Sequence, residues 1–270
     1  MKSIKRNLWI PGLTLILIAC ATSPTGRNQI FLLGEGQVDQ MGIQSFEELK
    51  QKTPIETDPK INAYVRCITV PITQAARGRT QVDNWEIVVF KDPTPNAFAL
   101  PGGKIGVHTG ILPMAKNDAQ LAAVIGHEVG HVIAKHGNER MSQGQIAQII
   151  MAGAGMATGK MSPTAQQATM TALGAGAQFG VLLPFSRAQE SEADLIGLDL
   201  MSQAGFDPHQ SVELWKNMSA SNGGKAPPQW ASTHPSDSTR MAALEENIPK
   251  HVAQYESAKA AGRSPHCVLK

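Results

Sequence analysis

The eleven residues from Gly126 to His136, GHEVGHVIAKH, hold three of the chain's eight histidines and one glutamate inside an otherwise apolar segment. Asn117 or Asp118 can cap a helix that enters this stretch. Leu121, Val124, Ile125, Val129 and Val132 recur at helical spacing and form its buried face. On such a helix His127 and His131 differ by about 40° in azimuth and roughly 6 Å in rise, so both imidazoles leave from one side. Two neutral imidazoles placed in this way can grip one Zn²⁺. Glu128 lies about 60° from His131, beside the pair, where it can take a proton from a water that the metal has acidified. Chance alone would produce H-E-x-x-H in roughly one such chain in a hundred, so histidines placed only for packing are the poorer reading.

A catalytic zinc takes three protein ligands and keeps a fourth position open. His136 is nine residues beyond His127 and leaves from the opposite side of the helix, so it is expected to be structural, propping the helix. The extended three-histidine pattern would need Gly at 134 and His at 137, where this chain has Ala134 and Gly137. Better donors lie in SRAQESEAD, Ser186 to Asp194. Glu190 and Asp194 are again four apart on an expected helix. Glu190 can bind the zinc while Asp194 reaches the second ring nitrogen of a ligand histidine and fixes its tautomer. Glu192, about 200° round from Glu190, points elsewhere.

The rest of the chain frames this site. Residues 34–80 read as two amphipathic N-terminal helices, the second starting at Asp58-Pro59 and broken near Pro71. WEIVVF (Trp85 to Phe90) reads as a strand, and NAFALPGGKIGVHTGIL (Asn96 to Leu112) as two more around Pro101-Gly102-Gly103. The expected class is therefore α+β and mainly helical, with about three strands, antiparallel or mixed, packed on the histidine helix. Residues 143–180, rich in Ala, Gly, Met and Gln, read as a weakly packed helical pair, either a cover over the cleft or a plain hairpin. A helix is expected from Ser186 to about Gln203, another from Asp207, and a last one opened by Pro235. The catalytic domain spans 81–250, and residues 251–270 form a C-terminal tail, expected to be mobile from about Lys259.

The first nineteen residues read as a signal segment, with Lys2, Lys5 and Arg6 ahead of an apolar run from Leu8 to Ala19. That run is too short to span a bilayer, which takes about 20 apolar residues. It ends in Leu17-Ile18-Ala19-Cys20, similar to a bacterial lipobox, so Cys20 is expected to be lipidated and residues 20–33 to form a tether. Ala21 in place of Asp favours the outer membrane of a Gram-negative host, facing the periplasm. Without the signal, 21 basic residues face 22 acidic ones, which gives no reason to expect nucleic acid as a partner. An oxidising periplasm permits a bridge between Cys67 and Cys267; the alternative is one buried thiol and one thiol in a loose tail.

Four stretches in order carry a resemblance: NAFALPGGKIGVHTGIL, GHEVGH, the Glu-x-x-x-Asp of SRAQESEAD, and THPS from Thr233 to Ser236. Together they resemble the M48 family of gluzincin peptidases, and within it the Oma1-like soluble and lipoprotein members of the bacterial envelope, over about residues 85–245. The resemblance implies a zincin-like fold and one Zn²⁺ per chain, held by His127, His131 and Glu190. Glu128 would then be the catalytic base and Asp194 would support a ligand. It also implies that Asn96, Ala97 and Phe98 lie on an edge strand to which an extended substrate can add. His234-Pro235 would bring an imidazole to the metal, either to stabilise the oxyanion or to occupy the open position. Arg240 would pair with a carboxylate or polarise substrate. The expected activity is zinc endopeptidase action on misfolded envelope proteins. The rival is a zinc-stabilised envelope chaperone or scaffold that binds unfolded chains without cutting them.

Overall fold

The chain enters the fold as a hairpin, where a polar tether was expected over 20–33. The computed structural model describes residues 19–157, 185–221, 230, 232, 234 and 238–269. Strands β1 (Ala19–Thr22) and β2 (Asn28–Phe31) pair antiparallel, with Ala21 opposite Gln29. The hairpin docks because its side chains reach the body. Arg27 makes two 2.6 Å hydrogen bonds to Glu139, and Gln29 donates to the Ala134 carbonyl at 2.7 Å. Ser, Thr, Pro and Gly compose linkers and tight turns alike, so local composition did not reveal this docking.

Helix α1 (Glu35–Lys52) carries Glu35 in its first turn and Lys50 and Lys52 in its last, which complements the helix dipole. Helix α2 (Pro59–Ala75) is capped by Asp58, whose carboxylate accepts from the Lys60 amide at 2.8 Å. The expected break at Pro71 does not occur, because α2 runs through it. A proline inside a helix costs about 3 kcal/mol. Burial of Tyr64, Val65, Ile68 and Ile72 on one face of α2 offsets that local cost.

Strands β3 (Glu86–Phe90), β4 (Ala97–Leu100) and β5 (Lys104–His108) form a mixed sheet in the order β3-β5-β4. β3 lies parallel to β5 and β4 antiparallel to it, so β4 is an edge strand. Gly102 and Gly103 turn the chain between β4 and β5 with φ of 77° and 73°, a conformation that strains any residue with a Cβ. This is the expected three-stranded sheet.

Helix α3 (Asp118–Ile133) starts at Asn117, whose side chain accepts from the Gln120 amide at 2.8 Å, and nearly all of its residues are buried. It is followed by α4 (His136–Ala157), α5 (Arg187–Gln203), α6 (Gln210–Ser221) and α7 (Ser238–Ala260). Ser186 and Gln189 close a capping box at the start of α5, where the helix was expected to begin. Most of the 143–180 segment, the proposed cover, and Pro235, the expected opener of the last helix, lie outside the described residues. No described helix is long and apolar enough to cross a membrane.

The packing of α3 on α5 sets the site. A Cβ at Gly126 would meet the Gly197 carbonyl oxygen at 2.9 Å, one at Gly130 the Ala193 oxygen at 2.8 Å, and one at Gly197 the His127 nitrogen at 2.7 Å. The two backbones therefore touch, and α5 comes close enough for its carboxylates to reach the histidines of α3. Gly197→Ala is expected to wedge the helices apart. It should destabilise the fold by about 1–3 kcal/mol in thermal unfolding and draw the α5 carboxylates away from His127 and His131.

The tail is tied down, contrary to the expectation of mobility from about Lys259. Helix α7 continues to Ala260, and beyond it Cys267 is buried and bonded to Cys67, with Cα atoms 5.8 Å apart. The Cys267 amide also donates to Asp118 at 3.1 Å. Cross-linking residues 200 positions apart restricts the unfolded chain strongly. Reduction, or Cys267→Ser, is expected to cost about 2–5 kcal/mol in denaturant unfolding.

Candidate metal centre

Four buried side chains converge beneath the sheet. His127 and His131 come from α3, Glu190 from the first turn of α5, and His234 from the segment before α7. One donor atom from each lies within 4.8 Å of all the others. The two Nε2 atoms of His127 and His131 are 3.0 Å apart. Glu190 places Oε2 3.4 Å from His127 Nε2 and Oε1 3.4 Å from His131 Nε2. His234 brings Nδ1 to 3.1 Å from His127 Nε2 and 2.9 Å from Glu190 Oε1.

The outer contacts decide where the ring protons sit. His127 Nδ1 faces Asp194 Oδ1 at 2.9 Å, so it donates there and turns Nε2 into the cluster. Asp194 is itself gripped by Arg240, whose Nε and Nη2 donate to its two oxygens at 2.7 Å each. Arg240 also places Nη1 2.7 Å from Glu190 Oε2, an ion pair without a well-directed hydrogen bond, so that buried oxygen has no hydrogen-bond partner. Lone pairs converging without a proton between them repel unless a cation lies among them. Three buried carboxylates, Glu128, Glu190 and Asp194, outnumber the paired guanidinium, a surplus of negative charge that favours a cation among them. The donor set of two imidazole nitrogens, a carboxylate and a third imidazole suits zinc.

The electrostatics agree with that fit. Burial disfavours a charged His127, but hydrogen bonds and charges from Asp194 and Glu190 outweigh it and lift its pKa to about 9. Burial, helped by the charges of His127 and His234, drives His131 well below its ordinary value against the pull of Glu190. Burial alone would raise Glu190, yet the three histidines hold it far below the usual carboxylate range. For Asp194, Arg240 and His127 likewise outweigh burial and lower its pKa.

Glu128 is buried beside the ligands. Its Oε1 accepts from Trp230 Nε1 at 2.6 Å and lies 3.5 Å from His234 Nε2. The site is walled by rings: Phe185 is centred 4.0 Å from His131, and Trp230 5.2 Å from His234. Trp230 stacks on Trp215, over which Arg240 also sits, 4.5 Å from the ring centre.

Of the residues expected here, His127, Glu128, His131, Glu190, Asp194, His234 and Arg240 come together. His136 stays out of the donor set and touches His131 instead, Nδ1 to Nδ1 at 2.8 Å. Just before β4, Asn96 turns its carbonyl inward to accept from the His108 amide at 3.0 Å. By antiparallel alternation Phe98 also pairs with β5, which leaves the main-chain groups of Ala97 and Ala99 facing outward. The Phe98 ring lies in an aromatic cluster with Phe46, Phe90 and His108. Trp230 and Glu192 were not foreseen. Trp230 lies one helical turn before His234, to whose amide its carbonyl bonds at 2.9 Å, and that spacing was the available signal.

A model of peptidase family M48 matches residues 59–248. The mitochondrial metalloendopeptidase OMA1 of Schizosaccharomyces pombe is 44% identical over 175 residues, covering 64% of this chain and 49% of that protein. The Saccharomyces cerevisiae protein of the same name is 33% identical over 80% of this chain and 65% of its own length. The beta-barrel assembly-enhancing protease of Escherichia coli is 29% identical over 78% of this chain and 43% of its own length. The chain thus spans between about two fifths and two thirds of the length of these relatives.

Proposed function

The chain belongs to peptidase family M48, and from that premise we propose that it is a zinc-dependent endopeptidase acting on misfolded proteins of the bacterial envelope. The observation that carries this reading is the convergence of the Nε2 atoms of His127 and His131 on Glu190, whose Oε2 has no hydrogen-bond partner, with Glu128 alongside. A zinc ion held there would acidify a water and polarise a carbonyl. Glu128 takes the proton of the attacking water at its carboxylate and delivers it to the leaving amine. Trp230, donating to Oε1, holds that carboxylate in place. Asp194 and Arg240 keep His127 in the tautomer that presents Nε2. An extended substrate adds to the edge of β4 through the outward main-chain groups of Ala97 and Ala99, which suits unfolded chains of any sequence. His234, with Nδ1 in the donor cluster, would help hold the ion beside His127, His131 and Glu190.

The location rests on separate features. The lipobox-like run ending at Cys20 supports a lipid anchor in the outer membrane, and the Cys67–Cys267 bond supports an oxidising compartment such as the periplasm. β1 begins beside Cys20, so an anchor there would hold the catalytic body close to the lipid surface.

The test is to incubate the purified chain with an unfolded outer-membrane protein, with and without a chelator. Fragments that disappear with the chelator are expected. Protection of the unfolded chain without fragments would instead support a zinc-stabilised chaperone or scaffold.

A further inference from the structure

Asp194 aims His127, but the reading above assigns no partner to His131. For His131 to offer Nε2 to a cation, its ring proton must sit on Nδ1. Facing that N–H, 2.8 Å away, is Nδ1 of His136, which must therefore accept. His136 then carries its own proton on Nε2, and that nitrogen lies 3.1 Å from Glu192 Oε2. Donors and acceptors alternate in one consistent direction from His131 through His136 to Glu192.

The carboxylate that ends this chain is held from far away in sequence. Glu192 Oε1 accepts from the Thr25 amide at 3.2 Å and from the Thr25 hydroxyl at 2.7 Å, and Arg27 Nε donates to Oε2 at 3.1 Å. Both residues lie in the turn of the β1–β2 hairpin, and Arg27 is braced by its bonds to Glu139. His136 and Glu192 are buried, at 0% and 3% exposure, so water does not replace these contacts.

We propose that His136 and Glu192, locked by Thr25 and Arg27, are positioning residues that fix the tautomer and ring plane of His131, so that docking of the N-terminal hairpin sets the affinity of the metal site. This rests on the metal reading of the His127–His131–Glu190 cluster. It differs from a packing role because packing needs only volume at position 136, whereas the relay needs an acceptor facing His131.

The test uses the full chain and Zn²⁺ alone, with affinity read by competition against a chromophoric chelator and ligand geometry by the absorption spectrum of the Co²⁺ form. His136→Phe keeps volume but removes the acceptor, and is expected to weaken Zn²⁺ binding by about 10–100-fold. His136→Asn restores an oxygen acceptor and is expected to recover most of the loss. Arg27→Met combined with Thr25→Val is expected to weaken binding by about tenfold and to shift the Co²⁺ spectrum. Wild-type affinity and spectrum in a folded His136→Phe chain would overturn the proposal. Where that variant fails to fold, wild-type behaviour of the Arg27→Met, Thr25→Val chain overturns it instead. A wild-type chain that binds no Zn²⁺ would sink the metal reading along with the relay; normal wild-type binding with unaffected variants would sink the relay alone.

Discussion

Glu128→Gln is expected to cut peptide-bond hydrolysis by about 10²–10⁴-fold while zinc content stays at the wild-type level. The amide keeps what the carboxylate does structurally, since its oxygen can still accept from Trp230 Nε1, a contact of 2.6 Å in the native site. It loses only the basicity needed to take a proton from water. Glu128 is not a member of the four-residue donor cluster, so the metal has no reason to leave. Turnover of an unfolded protein substrate, read alongside metal analysis of the same sample, checks both halves. Undiminished turnover would remove Glu128 from the chemistry.

Glu190→Gln should behave in the opposite way and lose the metal itself. Zn²⁺ affinity is expected to fall by more than the roughly 10–100-fold that outer partners of a metal site command, because a charged donor is removed and not merely its support. The native carboxylate is 1% exposed and approaches His127 and His131 at 3.4 Å each. The histidines hold it ionised against the pressure of burial, and a neutral amide cannot return that favour. Arg240 keeps its two bonds to Asp194, so the fold is expected to survive and the loss to be specific to the metal. Zinc retained per chain after dialysis against a weak chelator gives the answer. Wild-type retention would reject Glu190 as a ligand and leave the cluster without its carboxylate.

The sequence reading was most accurate where the argument stayed within one helix. The helix N-terminus at Asn117 or Asp118 and the Ser186 start of α5 are each decided by residues within a few positions, and Asn117 and Ser186 do cap these helices; on α3 Leu121, Val124, Ile125 and Val129 are buried as expected, whereas Val132 is only partly so. It was least accurate where a long-range contact overrode a local signal. Pro71 looked like a break, but burial of the α2 face carries the helix through. Residues 20–33 and the tail from about Lys259 looked loose, but Arg27 and Cys267 bind partners more than 100 positions away. Glu192 was read as pointing away from Glu190, which holds, but its destination on His136 and the hairpin could not be read from α5 alone.

The 3.6-residue period of a helix is a local property, so spacing alone put His127 and His131 on one face with Glu128 beside them. Which carboxylate meets them depends on how closely two helices approach, and that turned on Gly126, Gly130 and Gly197 letting backbones touch. The tautomer of each imidazole was settled later still, by Asp194 for one ring and His136 for the other. Such choices belong to shape and burial summed over the whole molecule, where a contact's strength depends on the water it excludes, and no window along the chain contains that information.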